Sequence, residues 1–356
     1  MNSDWVHEAI SRIESDFNRS ADTHLIKLPN CACPEIDVYL KDESIHPSGS
    51  LKHRLARSLF LHAICNGWIE EGTPIIEASS GSTAISEAYF AKLLGLQFHT
   101  VIPTSTSQEK IRKIEFLGGT CHLVDGDDIY ADAAELSRQL DGHYMDQFTY
   151  AERATDWRGN NNIAESLFRQ MSRERFPIPA WVVVGAGTGG TSATIGRYIR
   201  YQSLSTKVCV ADPENSVYAE YFRTGDSTIT CQRPSRIEGI GRPRVEPSFL
   251  RGVIDRVLQV PDSASIATIR TLECLIDRKC GASTGTNLWA VFDIIAEMKA
   301  RNESGSIVTL ICDGGDRYAN TYYSEDWIDR NGLAPEKYET ALSQFVERGV
   351  WDRCES

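Results

Sequence analysis

Residues 180–201 read AWVVVGAGTGGTSATIGRYIRY: an apolar β-branched block, a run of glycine and threonine, then a stretch with helical spacing. A continuous apolar block fits a strand buried on both faces better than one with a wet side. Glycines placed directly after it let the backbone curl and aim several N–H groups at one point. The helix that follows adds the favourable field of its N-terminus. Strand, glycine turn and helix in that order make half of a βαβ unit, so the fold depends on whether the pattern recurs.

It does recur. TPIIEA (73–78) passes through SSGSTA (79–84) into ISEAYFAKLLGL (85–96). QFHTVIP (97–103) precedes the helical TSTSQEKIRKIEFLG (104–118) and the short strand TCHLVD (120–125). TKVCVADP (206–213) and SIVTLICDGG (306–315) read as further buried strands. Strands alternating with helices predict parallel sheets flanked by helices on both faces, the α/β class. A chain of 356 residues can bury a large core and divide into two or three lobes. The polar DQFTYAERATDWRGNNN (146–162) interrupts the alternation and marks a lobe junction. YFRTGDSTITCQRPSRIEGIGRPRVEP (221–247) has no clean period, and long irregular segments in compact domains are more often functional than idle. APEKYETALSQFVERGVWD (334–352) reads as a peripheral helix.

A net charge of −12 argues against nucleic acid or an anionic membrane surface as the main partner. The N-terminal MNSDWVHEAISRIESDF lacks the basic head and apolar block of a signal peptide, and no apolar run approaches membrane-spanning length. The cytoplasm is therefore the expected location. The ten cysteines are scattered, and only Cys31 and Cys33 lie close, as C-x-C. Without a second close-spaced Cys or His pair, two free reduced thiols are favoured over a metal site or a redox pair, and no metal is expected.

Four loops are candidates for chemistry. GAGTGG (185–190) fits a dinucleotide fingerprint, with Asp212 as the acidic partner, or a loop for a terminal phosphate monoester. Its place past the chain midpoint favours the monoester. SSGST (79–83) suits a carboxylate cradle, although alone it reads more simply as a helix N-cap. GASTGTN (281–287) is a third such loop, ambiguous by itself. HPSGSLKHR (46–54) places Lys52 among small residues where a loop enters a helix. A lysine desolvated there can lose its proton and act as a nucleophile. Its neighbours His53 and Arg54 read as solvated side chains at a helix start, and Arg242 and Arg244 as parts of a solvated loop.

A nucleophilic lysine, an anion loop and two hydroxyl loops are together the parts that pyridoxal 5′-phosphate requires. On PSGSLKHR (47–54), GTGGT (187–191) and EGIG (238–241), in that order, the chain resembles the fold-type II pyridoxal-phosphate enzymes of the cysteine synthase and cystathionine β-synthase branch. The resemblance implies a two-lobed, tryptophan synthase β-like α/β fold, each lobe a mainly parallel sheet flanked by helices. The smaller lobe would span 47–150 and carry the lysine and the carboxylate loop; the larger would comprise 1–46 plus 151–356 and carry the phosphate loop. Lys52 would join the cofactor covalently and then move the Cα proton. Gly187, Thr188, Gly189, Gly190 and Thr191 would bind the phosphate, and Ser82 would touch the ring's 3′-oxygen. Ser79, Ser80, Gly81, Thr83, Gln147 and Gly239 would contact substrate, the SSGST loop and Gln147 through its carboxylate.

Ser283 would lie beside the pyridine nitrogen, where a hydroxyl does not hold the ring protonated as a carboxylate would. That suits β-elimination or β-replacement. Synthases of the family carry Asn where this chain has Ser82, and an N-P-A-N-like segment where it reads FTYAERATDW. SSGSTA with ERATDWRGNNNIAESL looks more like the bacterial L-cysteine desulfhydrases. The implied reaction is α,β-elimination of L-cysteine to sulfide, pyruvate and ammonia. The alternative is cysteine synthase (O-acetylserine sulfhydrylase) or another β-replacement enzyme, and a NAD-binding dehydrogenase is a remote one. A homodimer is expected from the commonness of twofold assemblies.

Overall fold

The computed structural model describes residues 3–19, 22–29, 33–126, 128–233 and 235–352. In chain order the elements begin α1 (Ser3–Asn18), β1 (His24–Leu28), β2 (Ile36–Asp42), α2 (Lys52–Cys65), β3 (Ile75–Glu77), α3 (Ser82–Leu94) and β4 (Phe98–Pro103). There follow α4 (Gln108–Phe116), β5 (Gly119–Val124), α5 (Ile129–Gln139), β6 (His143–Tyr144), α6 (Gln147–Ala154), α7 (Ile163–Met171), β7 (Trp181–Gly185) and α8 (Gly190–Tyr201). The rest are β8 (Lys207–Pro213), α9 (Tyr218–Thr224), β9 (Arg256–Val260), α10 (Asp262–Ile276), α11 (Ala282–Ala300), β10 (Gly305–Ile311), α12 (Glu325–Arg330) and α13 (Glu336–Arg348).

The chain divides into two compact units, one of Met1–Asp22 with His46–Asp156 and one of Thr23–Ile45 with Trp157–Ser356. The first holds a wholly parallel sheet in the order β5-β4-β3-β6. The second holds a sheet in the order β1-β2-β10-β7-β8-β9, parallel except for the antiparallel pair β1 and β2. Strands such as β7 and β10 are buried on both faces, β10 with its Ser306 and Thr309 hydroxyls bonded to main-chain oxygens.

The N-terminal helix departs from expectation. Residues before 23 belong with the smaller sheet and not the larger, because α1 lays Ala9 and Ile13 onto α2 and α3. The contact is reinforced where Arg57 donates to Glu14 at 2.8 Å and Tyr89 to Asp16 at 3.0 Å. Only the β1–β2 hairpin crosses to the larger unit, where β2 pairs with β10.

α13 is not peripheral either. Its Leu342 and Phe345 are buried in the main core, with the Phe345 ring 4.5 Å from that of Phe292 on α11. Leu342→Ala is expected to destabilise the protein by about 2–5 kcal/mol, the range for an apolar side chain removed from a packed core, read as a lower urea midpoint.

Candidate active site

In the smaller unit, Lys52 is the first residue of α2 and half-buried, and the helix starts without a side-chain cap at Leu51. The small residues before it are packed inward. Ser48 Oγ bonds His53 Nδ1 at 3.1 Å and Ser86 Oγ at 2.9 Å. Ser50 Oγ is buried with no hydrogen-bond partner. The solvated setting expected for His53 and Arg54 is wrong. His53 is 5% exposed and stacks on His46 at 4.9 Å, while Arg54 pairs with Asp22 at 3.1 Å. The start of α2 faces α3 and the N-terminal segment, so these polar groups spend themselves on neighbours.

The SSGST loop leads from β3 into α3. The N-cap is Gly81, which offers no side-chain bond, so capping does not consume the serine hydroxyls. Ser79 Oγ accepts the Gly81 N–H at 3.3 Å, and Thr100 Oγ1 on β4 donates to Ser79 O at 2.6 Å. Ser80 and Ser82 remain half-buried. Thr83 Oγ1 donates to Gln147 Oε1 at 2.7 Å, which brings together two residues that the sequence singled out 64 positions apart. Hydroxyls and an uncapped helix start make a donor-rich cradle suited to a carboxylate.

Two residues that sequence reading missed stand behind this loop. Glu77 ends β3 and Glu87 lies in α3, both fully buried. Burial pushes the Glu77 carboxyl up to about 7, although N–H donors oppose the shift. Burial, and then the charge of Glu77, push Glu87 well up. Asp262 and Asp212 are likewise raised by burial, to about 7 and about 6. Each of these acids binds its proton more tightly folded than unfolded. Their stabilisation is therefore complete below about pH 4 and lost as pH rises through 6–7. The urea midpoint should be lower at pH 8 than at pH 5.5, and Asp262→Asn should shrink that difference.

In the larger unit the glycine loop follows β7 as the sequence predicted. Gly189 lies in the left-handed region (φ +89°) and starts α8 without a side-chain cap. The loop meets the later EGIG segment: the Gly241 N–H donates to Ala186 O at 2.8 Å. A methyl group on Gly187 would lie 2.3 Å from Gly239 O, so no larger residue fits there. Tyr218, which no spacing signal marked, donates to Gly187 O at 2.5 Å and stacks on Phe249. Tyr322 Oη accepts the Glu238 N–H and donates to Arg236 O, both at 2.8 Å, which pins the irregular segment. Arg242, expected in solvent, is mostly covered and pairs with the buried Glu246 at 2.7 Å.

Ser283 is 5% exposed near the start of α11. Thr284 Oγ1 accepts the Cys312 N–H at 3.2 Å, and Asn287 Oδ1 is buried without a partner. Asp212 is fully buried and accepts the Ala219 N–H at 2.9 Å, so it is not available to a ribose. Cys33 is a buried thiol and Cys31 lies outside the described residues. An uncapped helix behind a left-handed glycine, with Thr188 and Thr191 beside it, suits a phosphate. Taken unit by unit, this loop with Ser283 in the larger and Lys52 with the orphaned hydroxyl of Ser50 in the smaller are donor sets that fit pyridoxal phosphate.

The family model described as pyridoxal-phosphate dependent enzyme matches residues 18–313, and the chain belongs to that family. It is 57% identical over 352 residues to L-cysteine desulfhydrase Cds1 of Mycobacterium tuberculosis (strain ATCC 25177 / H37Ra), covering 98% of this chain and 96% of that one. It is 27% identical to the cysteine synthase of Aquifex aeolicus (strain VF5), covering 85% and 90%. Among solved structures it resembles O-ureido-L-serine synthase, with a TM-score of 0.74 and 25% identity over 86% of this chain and 96% of that one.

Proposed function

We propose that this protein converts L-cysteine and water to hydrogen sulfide, pyruvate and ammonia. The observation that carries the reading is the 57% identity, over nearly the whole of both chains, to an L-cysteine desulfhydrase. Bound pyridoxal phosphate supplies an electron sink that lets Cα lose its proton and the β-sulfur leave. Lys52 would hold the cofactor and carry the Cα proton on Nζ. Thr83, Gln147 and the serines of residues 79–82 would bind the substrate carboxylate, with Ser82 also near the ring oxygen and Gly239 lining the substrate. Gly187, Thr188, Gly189, Gly190 and Thr191 would hold the phosphate, and Ser283 would meet the pyridine nitrogen.

A β-replacement activity is the second reading, favoured by the likeness to a cysteine synthase. The two differ in whether water or a second nucleophile consumes the product of β-sulfur loss. L-cysteine alone should yield sulfide and pyruvate in equal amounts. Synthesis of cysteine from O-acetylserine and sulfide, with no pyruvate from cysteine, would overturn the assignment. The described cysteines are free thiols, which supports a reducing cytoplasmic setting, and a homodimer is the expected assembly. Cell fractionation and sedimentation test these two points.

A further inference from the structure

Behind the hydroxyl loop, two fully buried acids act on each other. Glu77 and Glu87 are both fully buried, with Asp146 and Tyr144 also facing them. Glu77 Oε1 accepts the Ala78 N–H at 2.7 Å and Oε2 the Gln147 N–H at 3.2 Å. Glu87 lies close enough to feel the charge of Glu77, yet neither of its oxygens has a donor in ordinary hydrogen-bond geometry. We propose that Glu87 carries a proton that it donates to Glu77, and that Glu77, held as the anionic partner, positions both the carboxylate loop and Gln147.

The chemistry leaves few other arrangements. Two ionised carboxylates buried beside each other repel strongly, so one retains a proton. Glu77 is the better anion, since two backbone N–H groups already point at it, whereas Glu87 has none. Glu77 then ties Ala78, the residue just before the loop, to Gln147, the first residue of α6 and 70 positions from Glu77. Gln147 in turn accepts from Thr83 on the far side of the same loop. Moving the Glu77 carboxylate would shift both walls of the cradle at once. Burial and the neighbouring negative charge favour a protonated Glu87, in agreement with this assignment.

The inference rests on the proposed carboxylate-binding role of the loop, and the test separates the two. Glycine, which has no β-substituent to lose, is titrated by calorimetry into the cofactor-loaded wild type, Glu87→Gln and Glu87→Leu. The Gln variant keeps a donor toward Glu77 and should bind glycine within about threefold of wild type. The Leu variant removes it and should weaken binding at least tenfold. Infrared spectra at pH 8 should show a protonated-carboxyl band in wild type that is missing from Glu87→Gln. Should Glu87→Leu fail to fold, Glu77→Gln replaces it; an amide there turns a donor toward one of the two N–H groups and should weaken glycine equally. Equal affinity across all variants, equal loss in both Glu87 variants, or a band that survives in Glu87→Gln would overturn the proposal. A wild type that turns over L-cysteine yet is insensitive to these changes defeats this inference alone. A wild type that binds no amino acid defeats the parent reading and this one with it.

Discussion

Lys52→Ala should abolish sulfide and pyruvate formation from L-cysteine, with kcat/KM falling on the order of 10⁴-fold or more. The loss is large because one amine is assigned two tasks, covalent attachment and proton transfer. The fold should survive it. Lys52 opens α2 at a helix start with no side-chain cap, and alanine is the best helix former. The packing face of α2 (Ala56, Phe60, Ala63) is untouched. The rival amine is Lys41, which is fully buried in β2. Its Nζ already donates to Thr23 O at 2.9 Å and to Gln170 Oε1 at 2.7 Å, bonds that hold the strand edge in place and leave it poorly disposed to attack a carbonyl. Borohydride reduction followed by peptide mass spectrometry should therefore place the reduced cofactor on the peptide containing Lys52 in wild type and nowhere in the variant. A label on Lys41, or turnover above about a hundredth of wild type in Lys52→Ala, would remove the premise.

The features legible in the sequence were those governed by local backbone rules. An apolar run ending in glycines fixed β7 and the start of α8, and the same logic placed β3, the SSGST loop and α3. What stayed hidden depended on which face of a helix is covered. No motif in the sequence marks Glu87, but α3 also buries Thr83, Ala84, Ser86, Ala88, Phe90 and Ala91, so almost no side of it is wet. The signal was present in the small residues of AISEAYFA, which let neighbours approach from several sides, yet no spacing rule distinguishes a covered glutamate from an exposed one. His53 is covered for the same reason: α2 packs its polar start on α3. α1 and α13 were misplaced because an amphipathic stripe states that a helix has a partner without naming it. Gln147 and Thr83 could be nominated from family likeness, while their contact needed the fold.

Gly189→Ala tests the proposed phosphate loop. At φ +89° an L-residue is strained by roughly 1–2 kcal/mol. The added methyl would also lie 2.5 Å from Phe249 Cα and 2.7 Å from Ser248 O, both backbone atoms that no rotamer change can move away. Relieving that overlap adds about 1–3 kcal/mol, so the cofactor-free protein should lose some 2–5 kcal/mol of stability. The larger consequence concerns the cofactor. The N–H groups of Gly190 and Thr191 point where Gly189 aims them, and Thr188 Oγ1 already accepts from Gly190 at 3.2 Å. A loop displaced by even half an ångström would lengthen together the several charge-assisted hydrogen bonds proposed to the phosphate, each stronger than a neutral one. Pyridoxal phosphate affinity should drop roughly a hundredfold, about 3 kcal/mol spread over those bonds. The readout is the cofactor absorbance retained after dialysis, set against the unfolding midpoint of the dialysed protein. Both should fall, and the absorbance should return when excess pyridoxal phosphate is added, because Lys52 is unchanged. A variant that keeps its cofactor through dialysis while losing stability would show that Gly189 serves packing against Phe249 alone, and the phosphate would then have to bind elsewhere.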